Sequence, residues 1–482
     1  MKIKELFITF IIFFTAYSIV IAQEPPKLLQ SLTLEQCIDF ALKNNIQVKQ
    51  SELNTELSQI NLTQSEVNIL PSLNGNASHS YNTGNTVDRF TNQFHSETVL
   101  SQNFSLSSDV TIFNGLQTIN TIKQNNYNLK ASRLDVDKMK NDISLSIANA
   151  YLQILFNYEI VDNARNQIGL TLAQVERTKK LLDVGSAAKG TLLDIQAQLA
   201  SEELNLTNAQ NQLDLSFLSL SQLMNQPSAD GLSIAKPELT VSTDLLLESS
   251  VIQIYNTALS NLPEIKSAEF KVKSANKAID VAFGGLSPRL TFNATYGTGY
   301  SGASQQILNQ PAFQGYAPNG DTTSAGDLVL SPHFSNPTYE KKTYANQYKD
   351  NVNKSFGFYL SVPIFNRFQT RTTIGRAKIQ KLNAELTVES TKLQIRKNIQ
   401  QAYADASGAL KKYSSTQKAL DAMLESFKYT EQKFNVGMVN TNDYNTAKNK
   451  LIKTQSDLLQ AKYEYFFKTK VLDFYQGKPF KF

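Results

Sequence analysis

LQTINTIKQNNYNLKASRLDVDKMKNDISLSIANAYLQILFNYEIVDNARNQIGLTLAQVERTKKLLDV, residues 116–184, is the stretch that decides the fold. Within it Ile147, Ile154, Val161, Ile168, Val175 and Leu182 fall seven residues apart without a miss. A seven-residue repeat keeps one apolar stripe against a partner helix, which is the seam of a coiled coil. No proline interrupts the stretch, and its single glycine is Gly169. At about 1.5 Å per residue, a helix over 116–184 runs roughly 100 Å, longer than a globular core requires. The chain turns at Val184-Gly185, and Leu192, Leu199, Leu206, Leu213 and Leu220 carry a second helix back over 191–225.

The same object occurs twice. Adding 252 to each number takes Phe113-Asn114 to Phe365-Asn366 and Val184-Gly185 to Val436-Gly437. The first seam maps onto Ile399, Ala406, Tyr413, Leu420, Phe427 and Phe434, and the returning seam onto Tyr444, Leu451, Leu458, Tyr465 and Leu472. All of these stay apolar or aromatic, so long helices are expected over 367–436 and 441–476. Coiled coils that merely resembled each other would not also align Ile-Phe-Asn and Val-Gly at their ends. An internal duplication is therefore the first fact any fold must satisfy.

Bulk properties exclude several functions. The net charge is +5 with both signs interspersed, which gives none of the basic patches that nucleic acid demands. Cys37 is the only cysteine, so neither an intrachain disulfide nor a cysteine zinc site can form. His79, His95 and His333 are too scattered for metal-ligand spacing. No cofactor is expected. No Ser/His/Asp set or paired carboxylates suggest an enzyme.

Residues 1–22 have the form of a secretory signal: Lys2 and Lys4, an apolar run over 6–21, then a cut before Gln23. Residues 23–225 form the first repeat and 249–482 the second. Residues 226–248 form a linker broken by Pro227, Gly231 and Pro237. Thr33 with Gln36 has the form of a capping box at the start of a short helix. Ala258-Leu259-Ser260-Asn261 matches Ala41-Leu42-Lys43-Asn44 at an offset of 217.

Between the helices the period changes to two. Phe104, Leu106, Val110 and Ile112 alternate with Asn103, Ser105, Asp109 and Thr111. Leu290, Phe292, Ala294 and Tyr296 do the same, as do Phe356, Phe358, Leu360, Val362 and Ile364. Leu73, Gly75, Ala77, His79 and Tyr81 form the weakest copy. Four strands are expected, near 71–83, 101–113, 288–300 and 355–366, each with an apolar and a polar face. Their length suits a tilted transmembrane β-strand. The helices are committed to their own seams and leave nothing to cover the apolar faces. The loop over 301–353 is 35 residues longer than its counterpart, 83–100, as the offset change from 217 to 252 records. That length predicts an extracellular loop folding over the mouth.

Four strands cannot close a barrel, and an open edge in lipid leaves backbone groups unpaired at several kcal/mol each. The fold expected is therefore mainly α with a transmembrane β-barrel portion. Each chain contributes a duplicated helix–strand–strand–helix–helix unit. Three copies supply a shared barrel of about twelve strands, wide enough for a channel, and a helical tunnel of about 100 Å.

Taken together, the duplication, the Ile112-Phe113-Asn114-Gly115 and Ile364-Phe365-Asn366 strand ends, and the turns at Gly185 and Gly437 resemble those of the TolC-like outer membrane efflux proteins. The resemblance covers essentially all of the mature chain. It implies a homotrimer in the cell outer membrane with helices in the periplasm. It also implies a periplasmic adaptor (membrane fusion) protein and an inner-membrane pump of RND or ABC type as partners. The chain would then be the passive exit duct of a tripartite efflux or type I secretion system, gated at the periplasmic helix turns. The competing reading is a non-channel coiled-coil structural or adhesin-like envelope protein.

In this family the second turn carries an acid six residues after the glycine, and Asp443 stands six after Gly437. Three copies of Asp443 would make a carboxylate ring at the periplasmic aperture. The plainer reading is a first-turn acid favoured by the helix dipole. Asp194 is a weaker candidate of the same kind. Phe434 would narrow the aperture or simply pack on the seam. Gly185, Gly190, Gly437 and Val439 mark the turns where, by the resemblance, the adaptor docks. Gly185-Ser186-Ala187-Ala188-Lys189-Gly190-Thr191 outlines a phosphate loop but lacks the lysine after its second glycine, and no strand precedes it.

Overall fold

The computed structural model describes residues 31–87, 92–95, 98–237 and 250–478. The signal-peptide reading of 1–22, the 238–248 part of the linker and residues 479–482 lie outside the described residues. In chain order the first repeat holds β1 (Ser31–Leu32), α1 (Leu34–Asn44), α2 (Ile46–Val67), β2 (Asn74–Asn82), β3 (Thr86–Val87), β4 (Phe94–His95) and β5 (Val99–Phe113). The long helices α3 (Gln117–Asp183) and α4 (Lys189–Leu223) follow, then β6 (Ser233–Ile234). The second repeat holds α5 (Val251–Asn261), α6 (Pro263–Gly284), β7 (Arg289–Ser301), β8 (Gln305–Asn309), β9 (Phe313–Thr322), β10 (Leu328–Phe334) and β11 (Thr338–Lys341). It ends with α7 (Tyr344–Asp350), β12 (Asn353–Ser361), α8 (Gln369–Asn435) and α9 (Thr441–Tyr475). The chain forms two compact units, one of residues up to 57 with 130–270 and 385 onward, the other of 58–129 with 271–384.

The first unit is helical, and its two cores are copies of each other. Cys37, Ala41 and Val48 pack with Ile147, Tyr151 and Ile154 of α3 and Leu213 and Leu220 of α4. Ile254, Ala258 and Ile265 pack with Ile399 and Ala406 of α8 and Tyr465 and Leu472 of α9. Volume is exchanged between the copies: Ala406 stands where the first half has Ile154, and Tyr465 where it has Leu213. Tyr465 is 2% exposed and lies parallel to Tyr413 at 6.3 Å between centroids, so the second core holds two rings where the first has Leu213 and Val161. The capping boxes are duplicated too. Thr33 and Gln36 start α1, and Ser250 and Gln253, 217 residues on, start α5. Asn45 ends α1 and opens α2 by accepting from Gln47 N at 2.9 Å, and it donates to Leu223 O at 3.0 Å, the end of α4. β1 and β6 form a two-residue parallel pair that no sequence pattern announces, and Tyr151 Oη donates to Ala235 O beside it at 2.6 Å.

The second unit is built on one antiparallel sheet in the order β12-β7-β5-β2. Its register aligns residues of one kind across strands. Gly75, Leu106, Tyr296 and Lys354 share one row. Neighbouring rows on the same face hold Ser108, Ala294 and Phe356, then Val110, Phe292 and Phe358. The rows between them hold Asn74, Ser107, Thr295 and Ser355, then Asp109, Asn293 and Gly357. One face is therefore largely apolar and the other polar, as period-two alternation demands. Away from its loop-side end the apolar face is not covered among the described residues: Phe356, Phe358 and Leu360 are 81%, 67% and 66% exposed. β2 and β12 are the edges, and among the described residues each carries one row of backbone groups with no strand beside it.

The strand expected over 355–366 instead occupies Asn353–Ser361. Pro363 has no N–H to give a ladder, so Val362 and Ile364 fall outside the strand although their alternation continues. The strand expected near 71–83 begins at Asn74. Past β5 and β12 the chain makes the same left-handed turn into each long helix, with positive φ at Gly115 and Leu116 and at Arg367 and Phe368. At Gly115 a Cβ would lie 2.5 Å from Gly284 O, so glycine is required there. Asn114 and Asn366 close these turns alike, each donating to the threonine four residues on, Thr118 and Thr370.

Residues 301–353 fold into two strand pairs, β8 with β11 and β9 with β10, followed by α7. α7 lies on the sheet itself, on the face that carries the apolar rows: Thr298 Oγ1 donates to Tyr348 O at 2.7 Å, and Tyr348 Oη to Gln102 Oε1 at 2.5 Å.

Candidate functional site

The ends of α3 and α8 are built alike. Gly185 N donates to Leu182 O at 2.9 Å and Ser186 N to Leu181 O at 2.7 Å. Gly437 N donates to Phe434 O at 3.0 Å and Met438 N to Lys433 O at 2.8 Å. This pair of bonds satisfies the last helix carbonyls and needs a left-handed residue, here with φ of 73° at Gly185 and 80° at Gly437. Space is not the constraint, since a Cβ at either glycine would meet nothing within 4 Å. Gly190 sits in the first turn of α4, equally open, and Val439 is half-buried before α9.

Asn440 caps α9, its Oδ1 accepting from Asp443 N at 2.8 Å. Capping is thus already done by Asn440, and the Asp443 carboxylate is exposed with no ion pair among the described residues. Asp194 is exposed on α4 in the same way. Phe434 is engaged: its ring stacks on Tyr444 at 4.5 Å and 25°. Arg177 Nη1 donates to Asn435 Oδ1 at 2.8 Å, which ties α3 to the end of α8.

Two turns in from α9's start lies a group that the sequence reading missed. Lys448 and Glu202 are each 4% exposed and Thr171 1%. Lys448 Nζ donates to Thr171 Oγ1 at 2.5 Å and Glu202 Oε1 at 3.3 Å, and Thr171 Oγ1 donates to Glu202 Oε2. Gln198 Nε2 donates to Glu202 Oε1 at 2.9 Å and Asn449 Oδ1 at 3.1 Å. Burial pushes the Lys448 ammonium below the ordinary lysine range, and Glu202 pulls it back. A recess of about 340 Å³ adjoins, lined by Gln167, Glu202, Asn205, Asn449 and Ile452. The signal was the companion core column of the heptad. Glu202 stands seven after buried Ile195, and Lys448 seven after buried Thr441. The 252-residue offset gives Gln196, Met423 and Thr454 at the matching positions, so the network occurs once per chain.

Among the described residues no helix is long and apolar enough to cross a membrane, and no three His, Cys, Asp or Glu side chains stand together to hold a metal ion. Residues 37–226 and 254–468 match the family model "Outer membrane efflux protein", and the chain belongs to that family of outer-membrane efflux channels. It is similar to the pyoverdine export outer membrane protein OpmQ of Pseudomonas aeruginosa, 27% identical over 185 residues. That match covers 38% of this chain and 37% of OpmQ, so the chain spans well under half of that relative. Outer membrane protein TolC of Vibrio cholerae is 22% identical over 415 residues, covering 84% of this chain and 81% of TolC. The crystal structure of the outer membrane protein VceC from Vibrio cholerae shares the fold, with a TM-score of 0.71 at 16% identity, covering 93% of this chain and 97% of VceC. The resemblance read from the duplicated turns and strand ends is thus the correct one, and the outer membrane is where the chain resides.

Proposed function

We propose that the protein is a passive exit duct. Three copies close a twelve-stranded barrel, and their helices continue it as a tunnel into the periplasm. The observation that carries this reading is the sheet β12-β7-β5-β2, with an exposed apolar face and two unpaired edges. In lipid each unpaired backbone group costs several kcal/mol, so the edges require strands from other chains. With four antiparallel strands per chain, β12 of one copy meets β2 of the next antiparallel, so the ring closes without a change of pattern. Polar rows such as Asn74, Ser107, Thr295 and Ser355 then line the channel.

In this account the aperture lies at the turns of Gly185 and Gly437. A ring of Asp443 carboxylates attracts cations there, with Asp194 contributing from α4. The stacked ring of Phe434 favours packing over constriction. The adaptor meets the turns at Gly185, Gly190, Gly437 and Val439. An inner-membrane pump of RND or ABC type supplies the energy, and no chemistry occurs in the duct. The test is conductance in planar bilayers. The purified protein should give discrete cation-selective steps, and Asp443→Asn should lower that selectivity and weaken block by multivalent cations. An unchanged current–voltage curve removes Asp443 from the aperture. A protein that gives no steps and is recovered from the soluble periplasm returns the coiled-coil rod as the better reading.

A further inference from the structure

α7 is held firmly against the sheet. Gln347, 1% exposed, accepts from Ser301 N at 2.9 Å and donates to Ser301 O and Lys342 O at 3.0 and 2.9 Å. Tyr344 stacks on Tyr300 at 3.9 Å, Tyr348 meets Phe104 edge-on at 5.7 Å, and Asn351 Nδ2 donates to Gly299 O at 2.7 Å. By register, Gln102 pairs with Tyr300 and Phe104 with Thr298, and these residues continue the face that holds Leu106, Val110 and Phe292. The helix therefore covers the loop-side end of the apolar face, where tyrosines cluster. Amphipathic aromatic rings at the end of a lipid-facing band mark the headgroup level.

The charges around this helix have one sign in excess. Residues 338–354 contain Lys341, Lys342, Lys349 and Lys354 against Glu340 and Asp350. Asp350 is taken by Lys342 at 2.6 Å, and Glu340 accepts from Gln306 Nε2 at 2.5 Å. Lys341 and Lys349 are exposed. Lys354, the second residue of β12, is on the apolar face, its Nζ 5.8 Å from the centre of the Tyr296 ring. The counterpart loop, 83–100, has Asp88, Arg89 and Glu97 and no lysine. Ammonium groups beside a lipid-facing aromatic collar complement phosphorylated headgroups, as basic segments do at other anionic membrane surfaces.

We infer that α7, with Lys341, Lys349 and Lys354, is a binding surface on the outside of the barrel for the phosphate groups of outer-leaflet lipid. The inference rests on the barrel reading proposed above. The test titrates the full-length detergent-solubilised protein with diphosphorylated lipid A in mixed micelles, and native mass spectrometry reads the bound lipid. Dephosphorylated lipid A, phosphatidylcholine and inorganic phosphate serve as comparisons. The wild type should bind the phosphorylated lipid at least tenfold more tightly than either neutral lipid, and less tightly as salt rises. The triple variant Lys341→Gln, Lys349→Gln, Lys354→Gln should lose that preference while keeping its bilayer conductance. Lys342 is left in place because it pairs with Asp350. Equal binding by wild type and variant overturns the inference, and so does displacement of the lipid by millimolar inorganic phosphate. Normal pores without phosphate-dependent lipid binding discard the collar alone, whereas absence of pores in the wild type discards the barrel and the collar together.

Discussion

Lys448→Met is expected to destabilise the helical unit by ~3–5 kcal/mol, because it leaves the buried Glu202 carboxylate without its cation. Glu202 would keep only the neutral donors Thr171, Gln198 and the more distant Gln167 Nε2 at 3.5 Å. Methionine matches the length of the lysine stem, so packing changes little and the loss is electrostatic. Replacing both charges, Lys448→Met with Glu202→Leu, should recover most of the stability, since a buried pair exchanged for apolar residues of similar volume is often neutral or favourable. The midpoint of helix loss by circular dichroism in detergent measures both, and the double-mutant cycle isolates the coupling. A single variant that melts with the wild type, or a double variant that melts as early as the single, contradicts the burial and pairing described here.

Neighbouring residues of β7 should behave oppositely when each becomes arginine. Ala294 sits mid-strand on the apolar face, opposite Ser108 and Phe356, while Asn293 sits on the polar face, opposite Asp109 and Gly357. In the barrel proposed above, Ala294→Arg places a charge towards the lipid midplane, and such substitutions cost about 2–4 kcal/mol in transmembrane barrels. The side chain removed is only a methyl group, so little packing is lost. The variant should accumulate poorly in the outer membrane, measured as folded protein in that fraction. Asn293→Arg should assemble normally and shift conductance towards anions. Failure of Asn293→Arg alone would mean the two faces have been assigned the wrong way round, and equal assembly of both variants would mean that neither face meets lipid.

The parts of this fold legible in the sequence are those with a long period. The heptads of Ile147–Leu182 and Leu192–Leu220, and their copies Ile399–Phe434 and Tyr444–Leu472, locate the four long helices, because apolar spacing and left-handed glycines act locally. Alternation locates β5 and β7, but it carries no information on which strand lies beside which. The pairing of β5 with β7 joins residues far apart in sequence, such as Phe104 and Thr298. The end of β12 was misread because alternation continues past Pro363, whose missing N–H decides the matter. Asp443 was legible as a position, but its release from capping depends on Asn440, which only geometry assigns. Lys448 and Glu202 were missed because each looks like an ordinary helix-surface charge until the second core column is traced. The placement of α7 on the apolar face depends on Gln347 and Tyr348, neither of which carries a sequence pattern.

The central claim is that the sheet of one chain is a third of a closed barrel. The most direct test is the mass of the particle extracted from the outer membrane in detergent, with bound detergent subtracted by multi-angle light scattering. Three chains per particle is the result this account predicts. A monomer, or a protein recovered without detergent from the soluble periplasm, would leave the edges of β2 and β12 without partners and contradict it.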